Sequence, residues 1–360
     1  MSGSGTLGHP QPAVSLASLM RGRDNNFNLI RLMAAVAVLC GHSYPLTQGP
    51  GAREPLVALL GQNLGGFAVD TFFFISGLLV CASLYYRQSG WAFLKARLLR
   101  IYPGLWVMLL ISVGLLGGMV SRLPMADFWR SPEVFGYLSH CGTLIGGVRF
   151  KLPGLFADNP FPDSVNGSLW TLPYEVRLYA WLLALWILSR AFGSFRLKVL
   201  SWTVVGYALG TLVFVIAGLF FPLKVSPFIR LSMMFALGAS AFVLKDQIRV
   251  SWVGFGLAFG VLCLSAFQKS GFMVTYVLLL PYLILCLAYL PGGWIRRFNQ
   301  LGDYSYGVYI YAFPIQQALV QLLAVRDPLT LTSIALPVTL AFAMMSWHLV
   351  ESPALGLKGR

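Results

Sequence analysis

Charged side chains within apolar runs are the first candidates for chemistry in this chain, because burying a charge away from water is costly. Arg31 and His42 share one such run, with ten residues between them. On a helix this spacing is about three turns, about 16 Å along the axis, so both side chains lie on one face. A neutral imidazole can accept a proton from a hydroxyl group. His42 is therefore a candidate general base, and the alternative is a histidine that only hydrogen-bonds to a neighbouring helix.

Two arginines form a second candidate site. Arg97 and Arg100 are spaced i and i+3, which places them on the same face of a helix. Paired guanidinium groups suit a ligand that carries phosphate. From charge alone, the alternative is favoured, in which these arginines fix membrane topology and contact lipid headgroups.

Buried carboxylates complete the set. Glu175 and Arg177 follow Pro173 in an apolar run, but residues spaced i and i+2 do not face each other on a helix. We therefore expect each to find a partner on another helix. Asp70 has three interpretations: it orients His42, it pairs with an arginine, or it lies at the outer interface.

The late part of the chain is polar and aromatic. Its tyrosines, followed by Gln316 and Gln317, could stack against sugars, although aromatic residues in membrane helices more often pack or line the interface. His348 and Glu351 could form a metal pair at i and i+3, but an interfacial cap is favoured. The cysteines show no CxxC spacing, so we predict neither a disulfide framework nor a metal site.

The elements that must position these residues are membrane helices. Hydrophobic residues make up 57% of the chain and charged residues 11%, against about 25% charged in soluble domains. Since lipid requires every backbone polar group to be paired within the protein, we predict an all-α polytopic membrane protein with about ten transmembrane helices. The predicted spans are 27–46, 64–86, 103–121, 168–190, 197–221, 227–244, 251–268, 272–290, 305–325 and 328–350.

The distribution of Lys and Arg predicts the orientation. The net charge is +14, and the basic residues lie mainly between apolar runs, which favours topology and anionic lipid over nucleic acid as their role. With both termini on the cytoplasmic side, more of these residues fall inside than outside. Residues 1–26 are predicted to be a disordered cytoplasmic tail, and 27–355 the membrane domain. Loop 122–167 is predicted to be an outer lid or re-entrant segment.

Taken together, these motifs resemble the membrane acyltransferase 3 family over about residues 24–355. The chain has Arg31 and His42 in the spacing of the family's Arg-X10-His motif. Its other family-like segments are FFFISGLL, RLLR followed by IYP, GSLWTLPYE, LGDYSYGVYIYAFPI and VESP. One position departs from the pattern: Ala312 stands where many members have a histidine. This puts that residue's role in doubt, or passes it to Gln316 or Gln317.

The resemblance implies an integral membrane O-acyltransferase of the cell inner membrane, with acetyl-CoA as donor and no permanently bound cofactor or metal. The acceptor would be a hydroxyl group of an envelope or secreted polysaccharide, or of a glycolipid. Catalysis would fall to His42, Arg31 and Glu175, and binding of the CoA phosphates to Arg97 and Arg100. The residues implied in acceptor binding are Asp70, Trp170, Tyr174 and Gln316.

Three other readings remain open at the level of sequence. A glycolipid or polysaccharide-precursor transporter or flippase would use the same buried charges without acyl chemistry, although we find no internal repeat of the kind many transporters have. A purely structural subunit would not need buried Arg31, His42 and Glu175. Within the family, the acyl group could differ from acetyl, or the acceptor could be a small molecule.

Overall fold

The computed structural model describes residues 13–22 and 24–359, and it is almost entirely helical. Its α-helices are α1 (Leu16–Leu19), α2 (Phe27–Gln48), α3 (Pro55–Leu60), α4 (Leu64–Arg87), α5 (Gly90–Ile111), α6 (Gly117–Val120), α7 (Met125–Arg130), α8 (Pro132–Thr143), α9 (Leu172–Ser189), α10 (Arg196–Ala217), α11 (Pro227–Val243), α12 (Trp252–Ser265), α13 (Lys269–Tyr289), α14 (Ser305–Leu323), α15 (Pro328–Ser346) and α16 (Ser352–Gly356). Residues Ser112–Leu116 and Trp347–Glu351 form π-helical turns. The 3₁₀ segments are Gly167–Thr171, Arg190–Phe195, Gly293–Gln300 and Leu357–Gly359.

Six helical segments of the described chain are long and apolar enough to cross a membrane. One of them, Gly167–Ala217, has 51 residues. A straight helix of that length would measure about 76 Å, more than twice the thickness of a bilayer core. Gly193, with φ 53° and ψ −121°, breaks it into α9 and α10. The all-α polytopic fold is therefore confirmed, whereas the count of ten spans stays a prediction.

The outer surface of the bundle is apolar, as lipid requires. Trp202 on α10 is 75% exposed, and Phe267, after α12, is 93% exposed. A water-soluble protein rarely leaves such large apolar patches uncovered.

The third predicted span starts earlier than expected. We predicted its start at residue 103, but α5 begins at Gly90, where the Ser89 side chain accepts a hydrogen bond from the Ala92 N–H. Pro103 lies within the helix. Arg97 and Arg100 are therefore carried by the same helix that forms the span.

The prediction of a disordered tail is wrong for residues 13–22. Strand β1 (Val14–Ser15) pairs antiparallel with β2 (Arg249–Val250), and Val14 lies opposite Val250. Leu16 is fully buried, and its N–H donates to the Ile248 carbonyl at 2.9 Å. Two short strands carry too little sequence signal to be recognised in a Gly- and Ser-rich stretch. The rest of the predicted tail includes residues 1–12 and 23, which lie outside the described residues.

Helices α4 and α11 make the tightest helix crossing of the core. A Cβ atom added to Gly77 would lie 1.8 Å from the Phe235 carbonyl oxygen, and one added to Gly238 would lie 2.0 Å from that of Phe74. Small residues at a crossing allow two helix backbones to approach closely. Helix α2 packs against α4 on one side and against α14 and α15 on the other.

The long connection 122–167 is ordered and contains α7 and α8. Gln317 of α14 anchors it: the Gln317 Nε2 donates to the carbonyls of Phe161 (2.8 Å) and Ser164 (2.7 Å), and the Asn159 Nδ2 donates to the Gln317 Oε1 at 2.7 Å. Phe161 packs with Leu46 near the end of α2. This segment thus covers the end of α2 that carries His42, although its outer location stays a prediction.

We expect Gly77→Ala to destabilise the fold by about 2 kcal/mol or more, because the added methyl group meets backbone that cannot move cheaply. Thermal unfolding in detergent measures the effect. Gly206→Ala is the matched control, because that helical glycine on α10 has open space around it and alanine is the better helix former. Equal unfolding temperatures for the two variants would contradict the tight crossing.

Candidate active site

Two cavities penetrate the bundle. The first, which we call the arginine cavity, measures about 340 Å³ and is lined by Arg31, Arg97, Arg100, Glu175, Asp303 and Lys358, among others. The second, the histidine cavity, measures about 580 Å³, and its lining includes His42, Glu54, Gln62, Trp170 and Arg230. Val69 and Tyr309 line both cavities. The candidate site therefore has two chambers that share a wall.

Helix α2 contributes to both chambers. Its spacing places Arg31 and His42 on one face, as predicted, but Arg31 lines the arginine cavity and His42 the histidine cavity. The helical rise of about 1.5 Å per residue separates the two side chains along the axis. The two side chains therefore line different cavities.

Asp303 organises the arginine cavity. The Asp303 Oδ2 accepts from the Arg31 Nη1 at 2.5 Å and from the Arg100 Nη2 at 2.6 Å. Burial raises the pKa of Asp303, but Arg100 and Arg31 together outweigh burial, so the pKa lies below its usual range. One carboxylate thus links α2 and α5 to the start of α14. Sequence reasoning missed it; the signal was an acidic residue directly before a span, in LGDYSYG.

The two arginines of α5 differ in the number of partners that their guanidinium groups have within the protein. Arg100 bridges Asp303 and, at 3.6 Å, Glu351, and its guanidinium lies 5.5 Å from the Tyr306 ring centroid. Arg97 stacks over Tyr179 at 5.7 Å, and its buried Nε has no hydrogen-bond partner among the described residues. Arg97 is therefore the guanidinium with capacity left for an anionic ligand.

Lys358 adds a further cation, from the turn after the last helix. Burial lowers the pKa of Lys358, and Arg97, Arg100 and Arg87 lower it further, to about 8. A bound anion would relieve that repulsion. No motif marks this residue, so sequence reasoning did not single it out.

Glu175 faces the arginine cavity, where it accepts hydrogen bonds from the Tyr179 hydroxyl and, at 3.4 Å, from Ser76 of α4. Arg177 is exposed and lies over the Tyr174 ring of its own helix at 5.7 Å. A partner on another helix is thus found for Glu175, whereas the contact that the structure gives Arg177 is within α9.

His42 is partly buried beside α14. Its ring meets Phe313 edge-on at 5.1 Å, and its Nδ1 has no hydrogen-bond partner in the part of the chain that the structure describes. A packing histidine would normally satisfy that nitrogen. The open nitrogen and the adjacent cavity favour a ligand-facing role.

Asp70 does not orient His42. The Asp70 carboxylate is 1% exposed and binds Arg230 of α11 (2.9 Å) and the Tyr276 hydroxyl (2.8 Å). Of the three interpretations, the arginine pair is correct. This cluster ties α4, α11 and α13 together beneath the histidine cavity.

The remaining predicted acceptor residues fall in different places. Trp170 lines the histidine cavity. The Tyr174 ring packs edge-on against the Trp170 ring, with 5.9 Å between the ring centroids. The Gln316 Nε2 donates to the Leu39 carbonyl (2.9 Å) and to Ser43 (2.8 Å), so this side chain joins α14 to α2.

At position 312 the side chain packs in an apolar cluster. Ala312 is buried against Leu39 and Ala335. Gln317 is engaged through both its amide nitrogen and its amide oxygen. Gln316 is engaged through its Nε2, whereas its buried Oε1 has no partner among the described residues. The transfer of the histidine's role to Gln316 stays a prediction.

The structure gives His348 and Glu351 different side-chain partners, and the interfacial cap stays a prediction. The His348 Nε2 lies 3.1 Å from the Tyr304 hydroxyl, whereas Glu351 accepts from Ser346 (2.9 Å) and pairs with Arg100. The π-helical turn at Trp347–Glu351 changes the register on which the i and i+3 argument relied.

Tyr309 forms the wall between the cavities. Its hydroxyl donates to the Ser168 carbonyl at 2.8 Å and lies 2.6 Å from the Thr171 hydroxyl. The 3₁₀ segment Gly167–Thr171 is thereby docked against α14. Tyr309 and Val69 therefore lie where the two cavities adjoin.

The chain is similar to known proteins along nearly its whole length. Residues 24–348 match the model of one protein family, described as an acyltransferase domain. The chain is 30% identical to an O-acetyl transferase of Shigella phage Sf6, over 91% of this chain and 95% of that protein. It is 27% identical to nodulation protein 10 of Rhizobium leguminosarum bv. viciae, over 94% and 95%. No solved structure matches.

We expect Asp303→Asn to lower the stability of the fold by about 3 kcal/mol, because it leaves two buried guanidinium groups without their shared counter-ion. Thermal unfolding in detergent measures this. Asp163→Asn is the control, since it removes an exposed partner of Lys151 and surface pairs contribute little. An Asp303→Asn variant as stable as the control would contradict the bridging role.

Proposed function

The chain belongs to the acyltransferase family whose model it matches, and we propose that it transfers an acetyl group from acetyl-CoA to a hydroxyl group of an envelope or secreted polysaccharide, or of a glycolipid. The observation that carries the proposal is the pair of cavities that meet at Tyr309, one cationic and one holding His42. A membrane enzyme with this layout can take donor and acceptor from opposite sides.

The donor fits the arginine cavity. Arg97 has capacity for a phosphate oxygen, and Lys358 at the same cavity adds a second positive charge. Arginine binds phosphate through two parallel hydrogen bonds, so Arg97 and Arg100 suit the CoA phosphates. The extended pantetheine arm would then reach past Arg31 and Glu175 towards Tyr309. Arg31 would orient the donor or the developing charge, and Glu175 would order this part of the site.

The acceptor fits the histidine cavity. His42 would take the proton from the acceptor hydroxyl as its oxygen attacks the thioester carbonyl carbon. A carbon–oxygen bond forms, the carbon–sulfur bond breaks, and the CoA thiolate leaves through the arginine cavity. Trp170 offers a ring on which a sugar can stack. Asp70 would hold Arg230 at the edge of this cavity, and Tyr174 and Gln316 would support Trp170 and α2.

This assignment sets the orientation. The arginine cavity faces the cytoplasm, which supplies acyl-CoA, and the histidine cavity faces outward in the cell inner membrane. Both termini then lie in the cytoplasm, as the distribution of basic residues favours. The partners are acyl-CoA, a glycan or lipid-linked glycan, and the bilayer, with no nucleic acid and no permanently bound cofactor.

The first test is transfer of radiolabelled acetyl groups from acetyl-CoA into envelope glycan, in membranes that carry the protein. We expect His42→Ala to reduce incorporation by about 100-fold or more, since it removes the general base. His140→Ala is the matched control, because that histidine lies in segment 122–167 and its Nδ1 lies 2.9 Å from the Gly136 carbonyl oxygen.

Equal incorporation by His42→Ala and His140→Ala would remove His42 from the mechanism. If the intact protein gives no incorporation but moves labelled glycolipid across the membrane, it is a flippase and the proposal is wrong.

The affinity for acetyl-CoA should depend on pH through Lys358. Its pKa of about 8 means that the ammonium is present below that pH and lost above it. From one pH unit below to one above, we expect affinity to fall roughly fivefold, the equivalent of one exposed ion pair. The phosphate groups, with a second pKa near 6, stay ionised throughout.

Equilibrium binding to the purified protein measures this. Lys358→Met should bind weakly with little dependence on pH, and Lys358→Arg should bind tightly at both pH values, because arginine stays charged. A pH dependence that persists in Lys358→Arg would assign the titration to another group.

A further inference from the structure

The histidine cavity contains a carboxylate that the mechanism above does not use. Glu54 is 6% exposed and caps the start of α3. Its Oε2 accepts from the Leu64 N–H at 2.8 Å, and it makes no ion pair with any residue that the structure describes. Arg230, a partly exposed cation of the same cavity, is already held by Asp70. A buried carboxylate without a counter-ion is costly, and such groups are concentrated at functional sites.

Glu54 lies directly against the helix that carries His42. A Cβ atom added to Gly41 would lie 2.6 Å from the Glu54 Oε1. The second carboxylate oxygen therefore rests on the backbone of α2, one residue before His42, and both side chains line the same cavity. Burial raises the pKa of the Glu54 carboxyl, and the Leu64 hydrogen bond opposes that rise. A carboxylate in this state is a better proton acceptor than one in water.

We propose that Glu54 is the proton-relay residue of the histidine cavity, which takes up the proton that His42 removes from the acceptor hydroxyl. The inference rests on the proposed acyl transfer. The acceptor hydroxyl gives its proton to His42, and the proton passes to Glu54 and then to water at the mouth of the cavity. The CoA thiolate that leaves on the other side takes a proton from water there, so charge and atoms balance.

The relay accounts for two features together. His42 has an open Nδ1 and no hydrogen-bonded carboxylate among the described residues, so it needs a second acceptor to return to the neutral form after each turnover. Gly41 has no side chain at the point where the Glu54 Oε1 approaches. Here Glu54 acts through His42, so it is a positioning and relay group and not a contact to the thioester.

The test compares acetyl transfer by Glu54→Gln, Glu54→Asp and the intact protein at saturating and limiting acetyl-CoA. Gln keeps the size and can still accept from the Leu64 N–H, so the fold should persist. We expect kcat to fall about 100-fold in Glu54→Gln with the KM for acetyl-CoA within about twofold of the intact protein. The kcat of Glu54→Asp should be at least tenfold higher than that of Glu54→Gln. Glu133→Gln on α8, an exposed glutamate, is the control.

Gly41→Ala provides a second variant that keeps both titratable groups. The added methyl displaces the flexible end of Glu54, and we expect kcat to fall about tenfold with thermal stability retained. Unchanged kcat in Glu54→Gln, or no recovery in Glu54→Asp, would overturn the relay. Absence of transfer in the intact protein and in Glu133→Gln would instead refute the proposed function, so the two failures are distinguishable.

Discussion

The pairing of charges away from water is the constraint on which the rest of this molecule depends. Asp303 alone joins Arg31 of α2 to Arg100 of α5, and Glu351 joins Arg100 to the final helical turns. In a low dielectric, an unpaired guanidinium would cost far more than it does at a surface. The network therefore fixes how three parts of the chain meet, and it leaves Arg97 and Lys358 as the cations around which an anionic ligand can be held.

A second cluster of paired charges joins helices beside the histidine cavity. Asp70 holds Arg230 and Tyr276, and this is possible only because α4 and α11 cross at glycines, which bring their backbones close together. The close crossing and the buried ion pair support each other: the first brings the partners within reach, and the second compensates for desolvation. Arg230 of this cluster lines the same cavity as Glu54 and His42.

Hydropathy predicted the helices well because lipid permits few alternatives to the helix. It failed where local signals were weak or misleading: Pro103 suggested a helix start but lies inside α5, and the two-residue strand at Val14 was invisible. For the site, the i and i+3 spacing of Arg97 and Arg100 agrees with their lining one cavity, whereas Arg31 and His42 line two different cavities. Spacing within a helix carries no information about which distant carboxylate completes a pair, so Asp303 and Glu54 appeared only in three dimensions.

The division of the site into two chambers has a chemical consequence. An acyl thioester in contact with water and a nearby base is exposed to hydrolysis. Tyr309, fixed by Ser168 and Thr171, lies between the cation-lined chamber and the one that holds His42. Under the proposed function, it would separate the base from the donor until the acyl arm reaches this wall. In this view the aromatic face of α14 is a partition and not a sugar-stacking surface, and its Tyr-rich sequence follows from the need for large side chains that can also satisfy buried backbone carbonyls.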